Sequence, residues 1–345
     1  MKDVTDGLII GAGSVWVLNL LKGKARLTKT AIEAGILLAI IMGIVNGADP
    51  TTSRGKAQIW IAAILAYPYI PSSVRRIVSV FTVSRGLALS FPNIFEQHQL
   101  SVSWVSNLIV LGAFLKRPDL LSKGYLKFLE RFGNQHGSDF EAFRSKNFND
   151  PKACYCMHPG TENCVLALPA MFWDMFINQS LPLYSRLYGP LVALSVIQGK
   201  GGIEGGIKRT IRSAVTLSTY TSTVLSVCCV AVKIPGNKGL LLPLLATTAG
   251  TGSFLIEPTH RQYQLSQFMM GHCLDVIVRF YESLALPVPP HAGRMMFASG
   301  LYAMVMNLHK PCTSSTNRGL LRYIMDTPDS KHVLQPTELL MSIFK

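Results

Sequence analysis

Four residues crowded into one stretch, Cys154, Cys156, His158 and Cys164, are of the types that ligate zinc. Structural zinc sites use four Cys or His ligands, usually entered by a Cys pair two to four residues apart. Here the order is Cys-x-Cys-x-His-x5-Cys, a poor match to that spacing. We therefore expect no metal and no cofactor, and assign Cys154, Cys156 and Cys164 a structural role. Two forms of that role stay open: a disulfide within the element, or thiols packed around the turn at Pro159 and Gly160. Cys228 and Cys229 lie inside an apolar run and are expected to be buried thiols.

A second constellation is His272, Asp275, Arg279 and Glu282, whose spacing of three or four places them on one helical face. At membrane depth such a face lines a bundle interior or a water-filled cavity. At an interface its charges sit among headgroups and pair with one another. The neighbouring Gln262, Gln264 and Gln267 favour the interfacial reading. The run Gly199 to Gly206 ahead of Lys208 invites comparison with a phosphate loop, but no Gly-Lys-Ser/Thr follows it and no strand precedes it. It is expected to be a loop between helices. Neither a Gly-x-Ser-x-Gly elbow nor a His-Glu-x-x-His pair is present, so we expect no enzyme.

The elements that must position these residues are strongly apolar. Of 345 residues, 49% are hydrophobic and only 15% charged, against about 25% charged in soluble domains. The formal charge of +14 is spread in short basic clusters between apolar runs. That pattern suits anionic lipid headgroups and lacks the basic face with stacking aromatics that nucleic acid needs. No nucleic-acid partner is expected.

Along the chain, apolar runs cover residues 7–21, 30–46, 57–70, 101–115, 165–198, 208–234 and 239–256. Several approach the roughly 20 residues that a helix needs to cross a bilayer. An order-preserving repeat is visible. An apolar run, Pro71 and Arg75-Arg76 in one half answer an apolar run, Pro258 and His260-Arg261 in the other. The run 101–115 answers 295–308, Pro118 answers Pro311, and Gly124 answers Gly319. We divide the chain into a first helical repeat (1–135), a polar linker (136–153), a cysteine-rich junction with apolar helices (154–198) and a second helical repeat (199–345). Pro169, Pro182 and Pro190 predict at least one break in the third of these.

The Cys/His-Pro/Cys element, the apolar helix after it and the Leu-Pro-Leu-Tyr turn resemble the transmembrane protein 135-like family. So do the basic-aromatic segment Lys123 to Leu129 and the post-proline helix from Glu257 to Tyr281. The resemblance implies a peroxisomal or mitochondrial membrane location and a role in organelle lipid handling or dynamics, with distant kinship to translocase proteins. The expected fold is thus all-α, a polytopic helical membrane protein built from two related halves. Alternatives are a channel or translocase component, or a scaffold for other membrane proteins.

Each basic pair follows a proline that ends an apolar run and opens an amphipathic helix, where tails give way to phosphate. Helix N-termini carry unpaired N–H groups and partial positive charge. Arg75, Arg76, His260 and Arg261 are therefore the expected binders of anionic headgroups.

Overall fold

A computed structural model describes residues 52–70, 75–133, 139–145, 150–159, 163–197, 203–234, 241–285 and 291–307, with a few isolated positions besides. Among these every regular element is helical, so the all-α expectation holds. The apolar runs 7–21 and 30–46, together with Pro71, Pro311 and Gly319, lie outside the described residues.

The helices are α1 (Ser53–Ala66), α2 (Arg75–Ser90), α3 (Pro92–Gln97), α4 (Gln99–Lys116), α5 (Lys123–Gly133), α6 (Phe140–Ser145), α7 (Cys164–Asp174), α8 (Leu181–Ile197), α9 (Ile203–Lys233), α10 (Leu241–Gly252), α11 (Thr259–Ser283) and α12 (Ala292–Met306). Two of them, α4 and α9, are long and apolar enough to cross a membrane.

The chain forms two compact units that interleave in sequence: one ends at Glu96 and resumes at Ala285, the other runs from Gln97 to Leu284. These boundaries differ from the serial division expected from composition. Composition follows sequence order, whereas a compact unit follows which helix faces meet.

In the first unit α12 packs along α2 and against α1. Two glycines bring α2 and α12 together: a Cβ on Gly300 would stand 2.5 Å from the Thr82 carbonyl carbon, and one on Gly86 would stand 2.8 Å from Gly300 O. Backbone contact of this kind is the small-residue packing by which helices associate when lipid removes the hydrophobic drive. The α1 face is completed by Ile59, Ala63 and Ala66, with Trp60 against Tyr302 and Tyr67 against Phe297.

In the second unit α4 packs along α11 and against α10, while α9 lies against α7, α8 and α10. Its helices are joined by polar side chains. Gln99 Nε2 donates to Gln262 Oε1 (3.2 Å), Asn107 Nδ2 to Thr251 Oγ1 (3.3 Å), Ser213 Oγ to Glu257 Oε1 (2.7 Å) and Ser218 Oγ to Ser180 Oγ (3.0 Å). The remaining hydroxyls of α9 mostly turn back onto carbonyls four residues earlier, as Thr216, Thr221 and Ser222 do. Meanwhile Ile203, Ile207, Ile211, Val230, Leu166, Trp173 and Ile177 are exposed. Large apolar side chains thus lie on the surface as well as in the core formed by Phe114, Phe140, Phe143, Leu225 and Leu242.

Two local expectations are corrected. The prolines of the junction do not break it: residues 164–197 stay helical, with a π-helical stretch, Met175–Ser180, between α7 and α8. Pro169 lacks an N–H yet sits inside α7, and the π-helical turn follows it before α8. The polar linker is likewise not all linker. Phe140 and Phe143 of α6 are fully buried, and the Phe140 ring lies 4.8 Å from that of Phe114. Arg144 holds this segment by pairing with Glu130 at 2.8 Å and lying over Phe114. Two aromatic residues suffice to anchor a stretch whose mean composition is polar.

Candidate functional site

Gly205 and Gly206 fall inside α9, so the glycine run is in part helix and not wholly the expected loop. A Cβ at Gly206 would meet Val192 Cγ2 at 2.3 Å. That close approach of α8 and α9 forms the floor of an open apolar groove of about 750 Å³. Leu181, Val192, Ile203, Ile207 and Ile211 line it, with Phe176 reaching in from the π-helical stretch and Thr210 and Ser185 as its few polar groups. Volumes of this size are typical of small-ligand sites.

Charge gathers beside the groove on the same helices. Arg209 and Arg212 adjoin the lining residues Thr210 and Ile211 in sequence, and both act electrostatically on His260. Arg261 donates to the Tyr188 hydroxyl and to Gln264, and its guanidinium lies over the Tyr188 ring. Tyr188 precedes Gly189, a groove residue. Burial, followed by the neighbouring Arg261, holds His260 below its ordinary pKa, with Glu257 opposing. His260 and Arg261 thus stand with Arg209 and Arg212, a basic cluster between apolar runs whose pairing with the post-proline residues the spacing did not show.

Arg75 is placed differently. Its Nε donates to Ile70 O (2.9 Å), one terminal nitrogen donates to Pro68 O (3.0 Å), and the guanidinium sits over Tyr67. Those carbonyls belong to the turn that ends the preceding helix, so Arg75 caps it. Arg76 begins α2 beside it.

On the face of His272, Asp275 and Arg279 the first two side chains are buried. His272 stacks on Tyr125 with ring centroids 3.5 Å apart, and Phe268 stands edge-on to it. Asp275 is 2% exposed and pairs with Arg279 at 3.1 Å. Arg279 is part-exposed, and Tyr125 of α5 covers His272.

The cysteine element is a 3₁₀ turn, Pro151–Cys156, capped by Asp150, whose side chain accepts from Lys152 N. Cys154 within it and His158 beyond it are buried, and Cys164 opens α7. Cys154 Sγ stands 3.1 Å from His158 Nε2 and 3.3 Å from Cys164 Sγ, and His158 Nε2 is 3.2 Å from Cys164 Sγ. All three cysteines of the element are free. The sulfur separation exceeds a disulfide bond by more than an ångström, so the disulfide alternative is set aside here. Burial and the hydrogen bond to Cys164 push the Cys154 thiol up to about 11. Cys156 does not join this cluster and is half-buried.

No family model, curated protein or solved structure matches this chain.

Proposed function

We propose that this chain is a polytopic helical membrane protein that binds an anionic lipid, its acyl chain in the α8–α9 groove and its headgroup at Arg209, Arg212, His260 and Arg261. The observation that carries this reading is that α9 bears both the apolar groove and Arg209 and Arg212, while Arg261 of α11 reaches Tyr188 of α8, which matches the two chemistries of one amphiphile. Lys and Arg near a membrane surface contribute about 1 kcal/mol each toward anionic lipid. The membrane setting is supported by α4 and α9 and by the large apolar side chains exposed along α7, the π-helical stretch and α9, which water would penalise and lipid favours. A peroxisomal or mitochondrial membrane rests on the family resemblance alone.

We also read the two units as copies of one helix–turn–proline–helix design. At the single offset that maps Pro71 onto Pro258, Ile59, Ala63 and Ala66 meet Ala246, Gly250 and Ser253, all buried, and Ser79 meets Ser266, both buried. Arg75 then corresponds to Gln262, whose Nε2 donates to Glu257 O at 2.8 Å. That bond spans the same five residues as Arg75 to Ile70. In each unit the third helix comes from the other half of the chain: α12 completes the pair α1 and α2, and α4 completes α10 and α11. Duplication followed by exchange of the third helix accounts for both the repeat and the interleaving.

The test is mass spectrometry of lipids retained by the detergent-purified chain, native and carrying Arg209→Gln, Arg212→Gln and Arg261→Gln. An anionic lipid held by the native chain and lost from a folded variant supports the reading. Equal retention of anionic and neutral lipid by both proteins rejects it.

A further inference from the structure

We propose that Cys154, His158, Cys164 and Cys229 form a structural zinc site that clamps the cysteine element to α9. Three of these ligand atoms already converge, all lying within 4.8 Å of one another. In a tetrahedral site with Zn–S near 2.3 Å and Zn–N near 2.0 Å, the ligand atoms stand roughly 3.5 to 3.8 Å apart. The separations here, 3.1 to 3.3 Å, are a few tenths shorter. A small outward movement of each side chain seats the ion, with no rearrangement of the backbone.

The fourth ligand comes from α9. Cys229 is buried on α9 and interacts electrostatically with Cys154, its sulfur standing outside the 4.8 Å group formed by the other three ligand atoms. It also interacts electrostatically with Cys164. The set is then Cys₃His, one of the usual closed combinations. Sequence spacing counted against zinc because Cys156 had to serve as the fourth ligand; the fold supplies Cys229 in its place. Zn²⁺ on three thiolates and a neutral imidazole carries a net charge of −1. Lys233, one turn beyond Cys229, interacts electrostatically with Cys154 and Cys164 and would offset that charge. Each bound ion displaces three thiol protons, so loading releases acid.

The segment that carries Cys154 and His158 has only a short 3₁₀ turn as secondary structure of its own. A metal bond there would hold the element, and through α6 the whole linker, against the long helix. The site is independent of the lipid groove.

The test uses the full-length chain in detergent, purified from zinc-replete cells. About one zinc per chain is expected, and exchange with Co²⁺ should give the ligand-field and thiolate charge-transfer bands of a tetrahedral, sulfur-rich site. Cys156→Ser should keep the metal. Cys154→Ser with Cys164→Ser should lose it, and Cys229→Ser should lower retention against a competing chelator by about tenfold or more. Substoichiometric zinc after reconstitution, or an octahedral Co²⁺ spectrum, overturns the site using the native protein alone, whatever the folding of the variants. A Cys229→Ser chain that retains zinc as tightly as the native chain overturns the assignment of the fourth ligand.

Discussion

The Tyr220 hydroxyl donates to Asn107 Oδ1 at 2.6 Å, tying the long helix α9 to α4 in the middle of both. Asn107 passes the connection on to Thr251 of α10, so one buried amide joins three helices. Replacing it by Ala leaves Tyr220 without its acceptor. Unsatisfied buried groups cost about 1–3 kcal/mol. Asn107→Ala should lower the thermal midpoint in detergent clearly more than Tyr220→Phe, and the double variant should be less than additive. Equal small effects would show that water, not protein, satisfies the amide.

Gly300 and Gly112 predict opposite outcomes for the same substitution. Gly300→Ala drives a methyl into the backbone at Thr82 and Val83, where nothing flexible can yield. The cost should be about 1–3 kcal/mol or more. A methyl added at Gly112 would meet nothing within 4 Å, and alanine is the better helix former. Gly112→Ala should be neutral or stabilising, and paired thermal melts decide the point.

Gly189 offers a way to close the groove without disturbing the fold. It lines the groove, and a Cβ there meets no atom within 4 Å. Gly189→Phe should fill the apolar space and reduce retained lipid several-fold while the melting temperature holds. Undiminished lipid would place the acyl chain elsewhere.

His260 should make lipid binding depend on pH. Its pKa in the fold is depressed below the ordinary 6.5, so the unfolded chain takes up the proton first. Stability is therefore lost as pH falls from about 6.5 through the folded value. A bound phosphate offsets the repulsion from Arg261, Arg212 and Arg209, so affinity for anionic vesicles should rise over the same window. His260→Ala should flatten that rise and leave neutral vesicles unaffected. An identical slope in the variant would remove His260 from the site.

Much of the architecture was legible because it depends on local composition. Apolar runs near bilayer length, few charges and proline punctuation dictate helices, and α1, α2, α4, α9, α10 and α11 stand close to where the pattern puts them. Phe140 and Phe143 were harder to read, because two buried rings hardly alter the mean polarity of their segment.

What spacing could not supply was partnership. Arg75 and Arg261 follow their prolines in similar fashion, yet one caps a helix end and the other stands over Tyr188 beside a groove. Cys156 is near Cys154 in sequence and absent from its cluster, which Cys164 joins from the start of α7. The linear sequence determined which stretches become helices and which faces are small or polar. Only the tertiary structure decided which faces meet, because helix pairing is set by side-chain contacts across long sequence separations, and those contacts leave no local periodic trace.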